Sequence, residues 1–347
     1  MKKIFKAGWV ILALGAVLAI VGAAFNGVKA VEFNGFKVQT VKKDTAITKT
    51  YAKKEFERIE FVNGSGYFVP MELEIRQGQD YSVSYSGSSR FEPKIDYQNG
   101  TLKVARGQEM HGFSFDLNNY QSKIDSKLII TVPENVKLSF VKVNGNYDNI
   151  KLEKLNIATL ELEANSSEKL SLNEVTTERT DIDMNTDEVT LTNSKLNNGE
   201  LSLVADLVVS GGELTNINVK VDSEGRVYYK DGLVLNGGGT QLADEVYGYE
   251  SDDDNDADND SDYVDNSEPS ADLDADTITI KGKYEIKNNT GVTRIMNATV
   301  QGYRLTNKHG KNNLHDQQQT NGGTLEENAD QADVLTLSSQ TGENTVK

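Results

Sequence analysis

From Phe56 onward the chain alternates apolar and polar residues over short runs: Ile59-Glu-Phe61, Met71-Glu-Leu73-Glu-Ile75, Tyr81-Ser-Val83-Ser-Tyr85 and Thr101-Leu-Lys-Val104. A period of two marks a half-buried strand, because successive side chains point to opposite faces. Gly, Asn and Ser separate the runs, and Asn63-Gly64, Asn99-Gly100 and Asn144-Gly145 are dipeptides that favour tight turns. No helical period is present after Phe56.

Beyond residue 138 the alternation acquires a longer repeat. One set of apolar pairs is Leu160/Leu162, Ile182/Met184, Leu201/Leu203 and Val219/Val221, spaced by 22, 19 and 18 residues. A second is Leu170/Leu172, Val189/Leu191, Leu207/Val209 and Val227/Tyr229, spaced by 19, 18 and 20. Single positions recur as Val175, Leu196, Leu214 and Leu233. Three strands per turn with a near-constant long period predict an all-β fold, a parallel β-helix or solenoid-like stack of about 19-residue coils. An antiparallel sandwich would space its strands similarly but would not keep one long period in three columns. Leu335, Leu337 and Gly342 predict that 333–347 forms the last coil and closes the stack.

A different pattern occupies the N-terminus. Ala7 to Phe25 is a run of 19 uncharged residues behind Lys2, Lys3 and Lys6, long enough to cross a hydrocarbon core of about 30 Å as a helix. Trp9 lies where an interfacial aromatic belongs, and Gly8, Gly15 and Gly22 fall on one helix face. Val28-Lys29-Ala30 is a loose cleavage site, but the apolar run is long for a secretory leader, which favours a retained anchor. Lys29, Lys37, Lys42 and Lys43 follow the span, so charge alone does not orient it; the short tail and leader-like layout place the N-terminus inside and the bulk outside. The expected organisation is a tip and transmembrane helix over 1–30, a Lys-rich juxtamembrane tether over 31–55 and a solenoid over 56–347. The expected location is the cell membrane, single-pass, with the C-terminal domain extracellular.

Composition narrows the function. The net charge of −17 is concentrated: Glu250 to Asp276 holds 13 acidic residues and no Lys or Arg. That stretch is expected to be a disordered insertion, since like charges with few apolar side chains cannot offset ordering entropy. Asp254, Asp256, Asp258, Asp260 and Asp262 alternate as in calcium loops, but position six from Asp254 is Asn259 and position twelve is Asp265, so the glycine and the long final ligand are missing. The remainder has no basic face for nucleic acid. The chain has no Cys, which excludes disulfides, thiolate zinc sites and cysteine nucleophiles.

Phe56-Glu-Arg-Ile-Glu-Phe61, Leu128-Ile-Ile-Thr-Val-Pro133, Val143-Asn-Gly145 and Val334-Leu-Thr-Leu-Ser-Ser-Gln-Thr-Gly342 occur in the order seen in a known family. The chain resembles the bacterial membrane-anchored candidate-adhesin domains of unknown function, β-solenoid proteins of Gram-positive envelopes. The resemblance implies the fold and a surface location over roughly 56–347, and it carries no catalytic residues.

Other constellations point nowhere specific. His111, His309 and His315 lack metal-ligand spacing, and Ser139-x-x-Lys142 and Ser166-x-x-Lys169 match a penicillin-recognising pattern that needs a helix, in strand-like sequence. Glu161/Glu163, Asp181/Asp183 with Arg179, and Lys220/Asp222 alternate with the apolar columns and should face outward together, as a polysaccharide lyase would require and as any soluble solenoid also shows. The expectation is a non-enzyme with no catalytic, cofactor or metal residues. It would be a surface interaction or scaffold module whose partner is a cell-envelope protein or glycan. The alternative is an envelope-stress accessory acting through a membrane partner on the glycine-striped helix.

Overall fold

The computed structural model describes residues 31–34, 37–40, 44–62, 68–105, 114–115, 124–222, 225–242 and 271–347, together with Gly15 and Val17, both helical. The remainder of the run 7–25, the Val28–Ala30 site, Asn63-Gly64, His111 and residues 250–270 lie outside them. Among the described residues no helix is long and apolar enough to cross a membrane.

The alternation of the sequence becomes a parallel stack. Thr176–Thr192 lies between Asn156–Asn173 and Lys195–Ser210, paired in parallel with both. Each coil has three straight segments, here 176–177, 180–184 and 188–192, separated where the ladder skips or shifts. The second apolar set stacks as the sequence predicts: Leu170 on Val189 on Leu207 on Val227, and Leu172 on Leu191 on Val209 on Tyr229, all buried. Each such side chain removed from water contributes roughly 1.5–3 kcal/mol.

The other two sets need correction. Ile182/Met184 stacks on Leu201/Leu203, but the residues preceding them are Leu162 and Ala164, while Leu160 sits on Thr180. Thr180 is buried as if apolar because its hydroxyl pairs with that of Thr177 at 2.7 Å, so an inward hydroxyl hid the true step. In the third set Leu196 stacks on Leu214 and then on Leu235, two residues beyond the expected Leu233. Val175 and Leu233 are buried at the preceding corner instead.

That corner has one residue per coil with a left-handed backbone: Lys154, Glu174, Asn193, Gly211, Asp231, Thr277 and Asn297, with φ between 48° and 67°. The chain must reverse its bend there while its N–H still reaches the neighbouring coil, as Lys154 N–H does to Asn173 O and Glu174 N–H to Thr192 O, both at 2.9 Å. Such a φ is costly for residues other than Gly and Asn, most of all for β-branched Thr277. At another corner Asn288, Ser339 and Asn307 stack, each taking the N–H of the glycine three residues on into its side-chain oxygen. A Cβ on Gly342 would lie 2.0 Å from the carbonyl oxygen of Gly291, so the coils approach closely only without one.

Stacking produces two long ribbons. The first runs Lys94–Gln98, Thr101–Ala105, Arg58–Val62, Lys137–Asn144, the coils through Val234–Leu242, then Lys283–Asn288, Val334–Ser339, Gly302–Asn307 and Gly323–Glu327. The second runs Ala46–Thr50, Ser82–Ser88, Lys127–Pro133, Phe68–Gly78, Asn146–Glu153, the coils, then Leu273–Asp276, Val292–Met296, Glu343–Val346, Lys311–Leu314 and Gln317–Gln319. Both are parallel inside and antiparallel at each end, so each terminal strand is held by an antiparallel partner.

Chain order and spatial order diverge at the ends. Val334–Ser339 and Glu343–Val346 lie between strands 283–296 and 302–314, so 333–347 is an inner coil and not the expected closing one. Leu335 and Leu337 are fully buried. The expected tether over 31–55 is also partly structured: Ala46–Thr50 pairs with Ser82–Ser88, and Val31–Asn34 pairs with Lys37–Thr40. Asn99-Gly100 makes a hairpin with φ of 49° and 73°, whereas Asn144-Gly145 bends the chain within a coil. The acidic insertion departs after Leu242, and its expected end at Asp276 is too late. Leu273–Asp276 is a strand on Val227–Lys230, with Ala271, Leu273 and Ala275 inward because those small apolar residues alternate with the acids.

Two outcomes test this fold. Truncation after residue 332 removes strands from within the stack, so the melting temperature should fall steeply, at roughly 2–5 kcal/mol for each lost leucine; an unchanged melting curve would contradict the inner placement. Thr277→Gly relieves the left-handed corner and should stabilise by about 0.5–1 kcal/mol in denaturant unfolding, after allowing for glycine's added unfolded entropy; a loss would show that the corner carries no strain.

Candidate functional site

Alternation that buries one set of side chains sends the other outward in columns that cross the coils. On the first ribbon one column reads Glu60, Lys142, Glu161, Asp181, Glu200 and Asn218. Its neighbour reads Asn144, Glu163, Asp183, Ser202 and Lys220. Lys142 pairs with Glu161 at 3.0 Å, Lys220 with Glu200 at 2.8 Å, and Asn144 donates to Glu163 at 2.7 Å. Among the described residues Arg179, Asp181 and Asp183 form no ion pair.

The structure thus brings together the expected outward group of Glu161, Glu163, Asp181, Asp183 and Arg179, with Lys220 further along. Asp222 starts the next corner, where its carbonyl accepts from Gly225 N–H at 3.0 Å. The Glu161 carboxylate holds the Lys142 ammonium above its usual range, which makes that amine harder to deprotonate. The Ser-x-x-Lys matches fall on strands: Ser139 donates to Glu57 O at 3.1 Å, and Lys169 pairs with Glu188 at 2.6 Å. His315 packs edge-on against Tyr303 at 5.5 Å and lies 3.7 Å from Glu327, while His309 is exposed at a corner. No group of three metal-ligating side chains converges among the described residues.

The second ribbon is tied by ion pairs. Glu74, almost wholly inaccessible, holds Lys127 at 2.6 Å and Arg76 at 2.9 Å. Burial pushes its carboxyl up, but Lys127 and the neighbouring cations prevail and hold it below the ordinary range. Inside the stack, Tyr229, Thr240 and Tyr284 form a hydroxyl chain at 2.8 and 2.7 Å, and burial pushes Tyr284 up to about 12. The Tyr229–Thr240–Tyr284 chain is buried and closed to a ligand, while Lys127 and Arg76 stay partly exposed.

One groove interrupts the first ribbon. The corner between the first two straight segments is extended at Arg179 but left-handed at Asn198 (49°) and Asn216 (52°). Where the corner changes, a concavity of about 630 Å³ opens, lined by Arg179, Asp181, Asn198, Glu200, Asn216 and Asn218. Gly199 floors it, since a Cβ there would meet the Thr180 carbonyl oxygen at 1.7 Å. Beneath, the Thr177 and Thr180 hydroxyls bond to Asn197 N–H and O at 3.2 and 3.4 Å. Asn216 donates to Asn198 at 3.2 Å, and Asn198 to the Glu178 carbonyl at 3.1 Å. A smaller concavity lined by Lys142, Glu161, Glu163, Asp181 and Asp183 adjoins it and shares Asp181. Sequence reasoning missed the asparagines, although Asn198 and Asn216 recur at the coil period of 18 residues and could have been read as a column.

The family model described as Toastrack DUF4097 matches residues 69–347. Among solved structures, a candidate adhesin from Bacteroides fragilis is 13% identical, with 87% of this chain and 97% of that one covered and a TM-score of 0.36. A candidate cell adhesion protein from Clostridium sporogenes is 14% identical, with 88% and 99% covered and a TM-score of 0.20. A candidate lipid-binding protein from Parabacteroides distasonis is 12% identical, with 87% and 97% covered and a TM-score of 0.32. No curated protein matches the chain. With the match running from the Phe68–Gly78 strand to Lys347, the chain belongs to the Toastrack DUF4097 family.

Proposed function

We propose that this chain is a non-catalytic surface module that holds a stiff β-solenoid outside the cytoplasm for adhesive or scaffolding contacts, tethered to the membrane through residues 7–25. The observation that carries the reading is the pair of ribbons, continuous through every coil and ended by antiparallel strands at both ends. Such a body offers a long polar face on which many weak contacts can add, with its edges blunted against self-association. Pairing of Lys142 and Lys220 with glutamates supports a contact surface over a reacting one. The uncharged run behind Lys2, Lys3 and Lys6 supports membrane attachment. The partner class is a cell-envelope protein or glycan.

Full-length protein expressed in bacterial cells is expected to sediment with membranes, and its solenoid lysines should react with a membrane-impermeant amine reagent in intact cells. Replacing residues 7–25 with an unrelated membrane span should preserve labelling and partner capture. Cytosolic fractionation or protected lysines would contradict the reading, and capture lost on the swap would favour the accessory acting through its helix.

A further inference from the structure

We infer that the groove at the Arg179–Asn198 step is a glycan subsite that seats an extended, hydroxyl-rich polysaccharide running along the stack. The inference deepens the reading of the chain as a surface module by naming its ligand class. A sugar hydroxyl both donates and accepts, so its site needs donors and acceptors interleaved. The lining provides three amides, two carboxylates and one guanidinium. Arg179 and Asp181, which have no ion-pair partner among the described residues, stand side by side as donor and acceptor for a vicinal diol.

Other ligand chemistries fit less well. Asp181 and Glu200 oppose a phosphate backbone, and no three ligating side chains converge on a metal ion. The volume of about 630 Å³ falls within the usual range of roughly 300–1,000 Å³ for small-molecule sites. The floor is fixed in advance, because the buried Thr177 and Thr180 hydroxyls pin Asn197 and the Asn198–Asn216 bond orients both amides. Pre-fixed polar groups lose less entropy on binding.

Spacing extends the argument from one sugar to a chain. The column from Lys142 through Glu161, Asp181 and Glu200 to Asn218 crosses four coil steps. At the inter-strand distance that is about 19 Å. Each step is close to the rise per sugar of an extended β-linked polysaccharide, so a chain laid along the column advances by about one sugar per coil, with alternate sugars presenting the same edge.

The test uses full-length protein in lipid nanodiscs, titrated calorimetrically with β-1,4-linked N-acetylglucosamine and glucose oligomers of two to six units. Affinity for at least one series should rise with length and level off near four units. It should fall roughly tenfold, the loss of one or two net hydrogen bonds, in N198G/N216G, where glycine keeps the left-handed corners and removes only the amides. R179Q/D181N should fall likewise, with its melting temperature unchanged. No binding in either series, binding without length dependence, or full affinity in both double variants would overturn the subsite. A protein that captures envelope proteins yet ignores every oligomer would remove the glycan groove and leave the surface reading standing. Oligomer binding by a protein found in the cytosol would do the reverse.

Discussion

In-register stacking of one coil on the next is the constraint from which the rest of this structure derives. Each inward residue must sit on its equivalent one coil away, because the parallel ladder fixes the spacing and leaves no slack for a shifted side chain. Coil length can then vary only at corners, and the described coils do so, with steps of 18 to 20 residues between Leu170, Val189, Leu207 and Val227. The left-handed residue at one corner follows from the same demand. The bend has to reverse at that point even where the sequence supplies Lys154, Glu174 or Thr277. The long acidic insertion is tolerated for the complementary reason: it leaves after Leu242 and rejoins at Ala271, where other coils already turn, so the ladders on either side keep their register.

What the sequence made legible was what alternation and period encode. Leu170/Leu172 through Val227/Tyr229 could be read as a column because every member is apolar and every step regular. Leu160/Leu162 was misaligned by two residues because Thr180, a buried hydroxyl satisfied by Thr177, occupies an inward site that apolar counting skips. The strand Leu273–Asp276 was hidden in the acidic stretch because its outward positions carry aspartates, so charge masked an ordinary inward alternation. Nothing local could show that 334–346 inserts between earlier strands, since its leucines are equally suited to an inner or an outer coil.

The candidate site followed a similar division. Outward placement of Glu161, Glu163, Asp181, Asp183 and Arg179 follows directly from alternation. The groove itself depends on backbone conformation at Arg179, Asn198 and Asn216, where one extended corner meets two left-handed ones. The groove is a departure from the regularity of the ribbon. A perfectly uniform face would give every ligand the same weak contacts, and a step creates one place with depth.

The most direct test of the stacking order uses the absence of native cysteine. Ser338 is the ladder partner of both Lys287 and Thr306. S338C should therefore form a disulfide with K287C in one double variant and with T306C in another, since adjacent strands lie within the usual bridging distance. K287C with T306C should stay reduced, because an entire strand separates them. A bridge between K287C and T306C, with S338C unable to reach K287C, would place the C-terminal strands outside the stack and contradict the account.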